Sequence, residues 1–193
     1  IVLAELSELS LDTSDLFDPI IEDIIDVDIT GLSGYIAGSN GRSILMGVYN
    51  FCKSAGCRFI RPGEDGDYVP EVDLEKVQFK YRKKADYPFR GECVEGAVSY
   101  EHMRDTVYWL PKVGMNVYML EVRVPVAYYD RYYNHPYNPT LKPEPLSERQ
   151  IIQWKRQCEA EIAKRGIQFH DIGHGWTVEA FGIPADCAWE AID

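Results

Sequence analysis

The stretch 99–122, SYEHMRDTVYWLPKVGMNVYMLEV, decides the fold. After Ser99, the apolar residues Met103, Val107 and Leu110 recur at helical spacing, Gly114 interrupts the pattern, and Met115 to Val122 is an apolar run of strand length. The same order of helix, glycine and strand returns at 147–172, SERQIIQWKRQCEAEIAKRGIQFHDI, with Ile151, Trp154, Cys158 and Ile162 on one helical face, Gly166 as the stop and Ile167 to Ile172 as the strand. Both ends of that helix are marked in the sequence. Ser147-Glu148-Arg149-Gln150 fits a capping box, and Lys164 and Arg165 place positive charge where the helix dipole is negative. A copy of the unit also lies upstream: Ile44, Leu45, Val48, Tyr49 and Cys52 share a helical face, Gly56 supplies a left-handed cap, and Cys57 to Ile60 is the next strand.

Working outward, a strand from Phe89 to Val94 precedes the first quoted helix, so residues 86–193 read as strand, helix, strand, long loop, helix, strand. Such an alternation is a parallel βαβαβ succession, because parallel neighbours need a crossover between them. Before it come short strands at Ile1 to Leu6, Ile24 to Ile29 and Gly34 to Gly38, and an alternating edge strand at Val77 to Tyr81 followed by the solvated charge run Arg82-Lys83-Lys84. The sequence therefore predicts an α/β protein. Residues 1–85 form a small α/β N-terminal domain, and residues 86–193 the first three βα units of an incomplete (β/α)8 TIM-type barrel. A closed barrel takes eight strands and typically ~250 residues. Its missing neighbours would leave open strand edges, so association into a homo-oligomer is expected.

Composition narrows the partners. The net charge of −11, with no basic stretch interleaved with aromatics, argues against nucleic acid. No apolar run approaches the ~20 residues that span a bilayer, so no membrane partner is expected. The start at Ile1 lacks an initiator Met and a basic signal-peptide region, which fits a processed or excised piece and says little of the compartment. The five cysteines, Cys52, Cys57, Cys93, Cys158 and Cys187, form an odd set without a CxxC pair. They read as reduced thiols acting as small hydrophobes in a soluble protein, with the cytoplasm favoured.

In parallel α/β sheets the ligand sits beyond the carboxyl ends of the strands. The candidates there are Arg90 and Glu95 on and after the first strand, Glu121 and Arg123 after the second, and Asp171, His174 and Trp176 after the third. Arg paired with Glu also serves as a structural ion pair inside a barrel. Gly173-His174-Gly175-Trp176 is sharper, since glycines let the backbone approach a ligand and a Trp face stacks on a sugar ring. The loop from Val124 to Leu146, with Tyr128, Tyr129, Tyr132, Tyr133, Tyr137 and His135, falls on the same rim, although most of these tyrosines are expected to pack the loop down. His170 and His174 do not share a helical face and HExxH is absent, so neither a metal nor a cofactor is expected. The Gly38-Ser39-Asn40-Gly41-Arg42 turn matches neither the dinucleotide nor the P-loop pattern.

The run 38–49, GSNGRSILMGVY, continued by Gly56-Cys57-Arg58-Phe59 and Arg61-Pro62-Gly63, resembles the N-terminal domain that precedes the barrel in bacterial α-glucuronidases and β-hexosaminidases and in their largely uncharacterised bacterial relatives. The resemblance continues through Tyr87-Pro88-Phe89-Arg90-Gly91, Glu95-Gly96-Ala97-Val98-Ser99-Tyr100, Leu110-Pro111-Lys112-Val113-Gly114 and Gly173-His174-Gly175-Trp176-Thr177, covering nearly the whole chain. It implies that Arg90 grips sugar hydroxyls, that Glu95 is the acidic residue five positions on, and that Asp171 and Gly173-His174 match the Asp and Gly-His after the third strand, here with a spacing one residue shorter. The catalytic carboxyl groups of those enzymes lie on later strands, which this chain lacks. The implied function is the N-terminal part of a glycoside hydrolase, positioning a carbohydrate without supplying the catalytic acid. The alternative is a non-catalytic carbohydrate-binding or interaction module.

Overall fold

The computed structural model describes residues 1–94, 99–120, 132–171 and 182. The alternating segment forms β2 (Ile24–Thr30), whose Ile25, Val27 and Ile29 are buried while Asp26 and Asp28 lie nearer solvent. It pairs antiparallel with β3 (Ser33–Gly38), and β1 (Val2–Glu5) adds parallel to β3. Helix α1 (Gly41–Ser54) starts at Asn40, whose Oδ1 accepts the Ser43 N–H at 2.9 Å, and ends before Gly56 at φ +102°. Its Met46 closes a core with Ile25, Val27, Ile29 and Ile36. Gly47 lets the helix lie close on the sheet, because a Cβ there would stand 2.6 Å from Ile36 Cγ2.

Two expectations for this region change. The strand expected at Cys57 to Ile60 shrinks to β4 (Arg58–Phe59), which among the described residues pairs only with β5 (Asp67–Tyr68), as a separate ribbon. The Phe59 carbonyl is taken by the Trp109 indole N–H at 3.1 Å, which holds this segment against the next unit instead of the first sheet. The run Arg82-Lys83-Lys84 lies inside β6 (Gln78–Lys84), antiparallel to β2 at the sheet edge. The outward aspartates of β2 and the segment before it supply its partners: Lys80 meets Asp28 at 2.7 Å, Arg82 meets Asp26 at 2.7 Å and Lys84 meets Glu22 at 2.8 Å.

Beyond Lys84 come β7 (Gly91–Val94), α2 (Tyr100–Trp109) with a 3-10 turn to Gly114, β8 (Val117–Leu120), α3 (Glu148–Lys164) and β9 (Gln168–Asp171). Both pairings, β7 with β8 and β8 with β9, are parallel, so the βαβαβ succession holds. Among the described residues this sheet is open, with the order β7-β8-β9. Ser147 caps α3 by accepting the Gln150 N–H at 3.2 Å. Both helices cover one face of the sheet, where Met103, Val107, Leu110, Ile151, Cys158 and Ile162 meet Val94, Tyr118 and Leu120. Burial pushes the Cys158 thiol up to about 12, so it behaves as a hydrophobe. None of Cys52, Cys57, Cys93 and Cys158 is in a disulfide, and Cys187 lies outside the described residues. No described helix is long and apolar enough to cross a membrane.

Tyr118 is fully buried in that core, and among the described residues its hydroxyl has no hydrogen-bond partner. An unmet buried hydroxyl costs about 1 to 3 kcal/mol, so Tyr118→Phe is expected to stabilise the chain, by about 1 kcal/mol once relaxation is allowed for. Urea unfolding of the two proteins measures the difference, and a destabilised phenylalanine variant would mean that the hydroxyl is satisfied.

Candidate functional site

Strand direction and register decide which side chains share an end of the parallel sheet. Val94, Leu120 and Asp171 are aligned at the carboxyl ends, and Gly91, Val117 and Gln168 at the amino ends. Of the residues expected at the carboxyl rim, Glu95, Glu121, Arg123, His174 and Trp176 lie outside the described residues. Asp171 is at that end. It aligns with Leu120 on the helix-covered side, where its Oδ2 receives Lys155 Nζ of α3 at 2.8 Å and its Oδ1 is buried without a partner among the described residues. The opposite side carries Cys93, Met119 and His170 in one row across the strands, with the Phe89 ring 6.2 Å from His170. In a closed barrel that side faces inward.

Arg90 is not at the carboxyl rim. It precedes Gly91, so it stands at the amino end of β7, a strand's length away from Asp171. The expectation that Arg90 lies towards the carboxyl ends of the strands is corrected, while Glu95 and His174, expected beside it, lie outside the described residues. The reason is that the chain passes Arg90 before it enters the sheet. Its guanidinium is already engaged there: Nε donates to the Gly114 carbonyl at 2.9 Å, Nη1 to that of Tyr87 at 2.5 Å, and Nη2 to Asp23 Oδ2 at 2.7 Å.

Asp23 is the centre of this arrangement and was not foreseen from the sequence. Only 2% exposed, it accepts from Arg42 Nε at 2.9 Å and Ser43 Oγ at 2.7 Å on one oxygen, and from Arg90 Nη2 at 2.7 Å and Asn116 Nδ2 at 2.8 Å on the other. Arg42 extends the network by donating to the Gly166 carbonyl at 2.7 Å, and Asn116 bonds the backbone on both sides, accepting from Arg90 N and donating to the Pro88 carbonyl. The first sheet, α1 and the amino ends of β7, β8 and β9 are thus tied to one carboxylate. Burial alone would raise the Asp23 pKa, but hydrogen bonds from Arg90 and Ser43 and the charge of Arg42 bring it below the ordinary carboxylate range. The available signal was a lone Asn inside the apolar run Met115 to Val122, since a polar residue there needs partners once buried.

The tyrosine loop divides. Tyr128 and Tyr129 lie outside the described residues. Tyr133 is anchored: its hydroxyl accepts the Tyr100 N–H at 3.1 Å and donates to Glu101 at 3.2 Å, and its ring meets Trp154 at 5.5 Å. Tyr137 is 94% exposed. Tyr133 therefore packs the loop onto α2 and α3, while Tyr137 has its ring in solvent.

No protein-family model matches this chain, and no curated protein matches it in sequence. Among solved structures, a family 89 glycoside hydrolase from Clostridium perfringens, in complex with PUGNAc, superposes with a TM-score of 0.56 at 16% identity. The match covers 87% of this chain and 22% of that protein, so the chain spans about a fifth of its length. The likeness shows that the mixed α/β arrangement described above is a fold shared with part of that glycoside hydrolase.

Proposed function

We propose that residues 1–85 are the accessory domain, and residues 86–193 the opening βα units of a (β/α)8 barrel, in a glycoside hydrolase-like protein. The observation that carries this reading is the parallel β7-β8-β9 sheet, covered by two helices on one face and tied to a four-stranded mixed sheet, in a chain whose fold matches part of a glycoside hydrolase. In such a barrel the carboxyl ends of the strands form the substrate rim. Glu95, Glu121, Arg123, His174 and Trp176 are the sugar-positioning residues in this proposal. Arg90 is a positioning residue through the Asp23 network, and Asp171 orients the third strand through Lys155. Hydrolysis of a glycosidic bond needs a carboxylic acid to protonate the leaving oxygen, with a second group supporting the oxocarbenium-like transition state. That acid belongs to later strands of the whole protein.

The chain is accordingly expected to bind monosaccharides weakly and to hydrolyse no 4-nitrophenyl glycoside. Titration with a monosaccharide panel, followed by tryptophan fluorescence, is expected to show millimolar binding to one member that is lost in Trp176→Ala and in His174→Ala. Binding of no sugar would remove the carbohydrate reading. A robust hydrolytic rate abolished by Glu95→Gln would overturn the placement of the acid on later strands.

A further inference from the structure

Between α1, the end of β6 and the turn at Gly114 the molecule holds a cleft of about 220 Å³. Ile25, Met46 and Val113 give it an apolar lining, and Asn50, Lys53 and Tyr81 contribute polar groups to its wall. Among the described residues, the Asn50 amide, the Lys53 ammonium and the Tyr81 hydroxyl have no hydrogen-bond or ion-pair partner. Lys53 is partly buried, and its ammonium keeps contact with solvent, so a ligand entering the cleft can reach it. Burial lowers the Lys53 pKa, and no neighbouring acid offsets the cost.

The remaining charges around the cleft do not neutralise Lys53. Lys83 is matched by Asp86 at 2.8 Å. Asp23 is shared between Arg90 at 2.7 Å and Arg42 at 2.9 Å, which leaves one guanidinium charge in excess behind the apolar wall. The cleft therefore combines a positive surplus, three unengaged polar groups and an apolar surface, the usual composition of a small-molecule site.

We infer that this cleft binds a small organic monocarboxylate, its oxygens on Lys53, Asn50 and Tyr81 and its short hydrocarbon body on Ile25, Met46 and Val113. The volume equals about seven waters at ~30 Å³ each, which suits an acid of roughly six heavy atoms. Inorganic phosphate has no apolar part for the lining, which makes it the control anion. The inference is independent of the glycoside hydrolase reading, since the cleft lies at the amino ends of the parallel strands.

Thermal unfolding of the chain in carboxylate-free buffer, with sodium isobutyrate, inorganic phosphate or sodium chloride at matched ionic strength, tests it. Isobutyrate at ten times its Kd is expected to raise Tm by roughly 3 °C, and phosphate by no more than the chloride control. Lys53→Met is expected to abolish the isobutyrate shift and Lys53→Arg to retain part of it. In the wild-type chain the Asn50 side-chain amide resonances are expected to move with isobutyrate, a readout that does not depend on the folding of any variant. Unmoved Asn50 resonances, equal Tm shifts with phosphate and isobutyrate, or an undiminished shift in a folded Lys53→Met variant would overturn the inference.

Discussion

Replacing Asp23 by alanine is expected to destabilise the chain by about 3 to 5 kcal/mol, the usual cost of removing one partner from a buried ion pair. Arg42 is 5% exposed and would be left without its counterion, and the Ser43 hydroxyl and the Asn116 amide would each lose an acceptor. Asp23→Asn keeps the shape and part of the hydrogen bonding but not the charge, so it should fall between wild type and Asp23→Ala. Equilibrium urea unfolding measures all three, and a cost below about 1 kcal/mol for alanine would mean that the network is not closed in solution.

The same carboxylate gives a pH dependence of definite sign. The folded pKa of Asp23 lies below its ordinary value, with the pull of Arg90, Ser43 and Arg42 outweighing burial. In the unfolded chain Asp23 titrates near about 3.9, so as pH falls the unfolded state takes up the proton first. Its stabilising contribution is therefore complete above about pH 5 and is lost as pH drops through about 4 towards the folded value. Urea midpoints at about pH 7, 4.5 and 3 should fall more steeply for the wild type than for Asp23→Ala. Parallel curves for the two would assign the acid sensitivity to other carboxylates.

The second large effect is expected at Ile151, 0% exposed in the first turn of α3 and packed in the core that joins both crossover helices to the parallel sheet. Ile151→Ala should cost about 2 to 5 kcal/mol through lost transfer energy and the cavity left behind. Leu3→Ala, at a position 57% exposed on β1, should stay within about 0.5 kcal/mol. Urea unfolding with an unchanged m-value is the appropriate comparison, because a shift in midpoint alone then reports stability. A cost under about 1 kcal/mol for Ile151→Ala would mean that α3 does not clamp β8 and β9.

The repeated helix, glycine and strand pattern was legible because each of its signals is local. Met103, Val107 and Leu110 mark a helical face within a few turns, Gly114 needs only its own φ of +83°, and Ser147 caps the next helix three residues away. The same holds for the period of two in β2. The strand at Arg58 and Phe59 was legible, but its pairing with Asp67 and Tyr68 and the Trp109 indole on the Phe59 carbonyl, fifty positions on, were not. The charge run at Arg82 is exposed as expected, but the edge strand runs on through it to Lys84, because the aspartates of β2 across from it supply partners that lie far away in sequence.

The sequence by itself determined the order of the main elements, the helix limits and, through the crossovers, the parallel sense of the last three strands, since short-range periodicity and capping dictate each of these. Only the tertiary structure decided which end of β7 holds Arg90, which side of the sheet holds Asp171, and that Asp23, Arg42, Arg90 and Asn116 meet at one buried point. The sequence separation between Asp23 and Asn116 is 93. Contacts over such distances follow from how the sheets pack: the apolar run around Asn116 signals that a partner is needed, and nothing near either residue says which one.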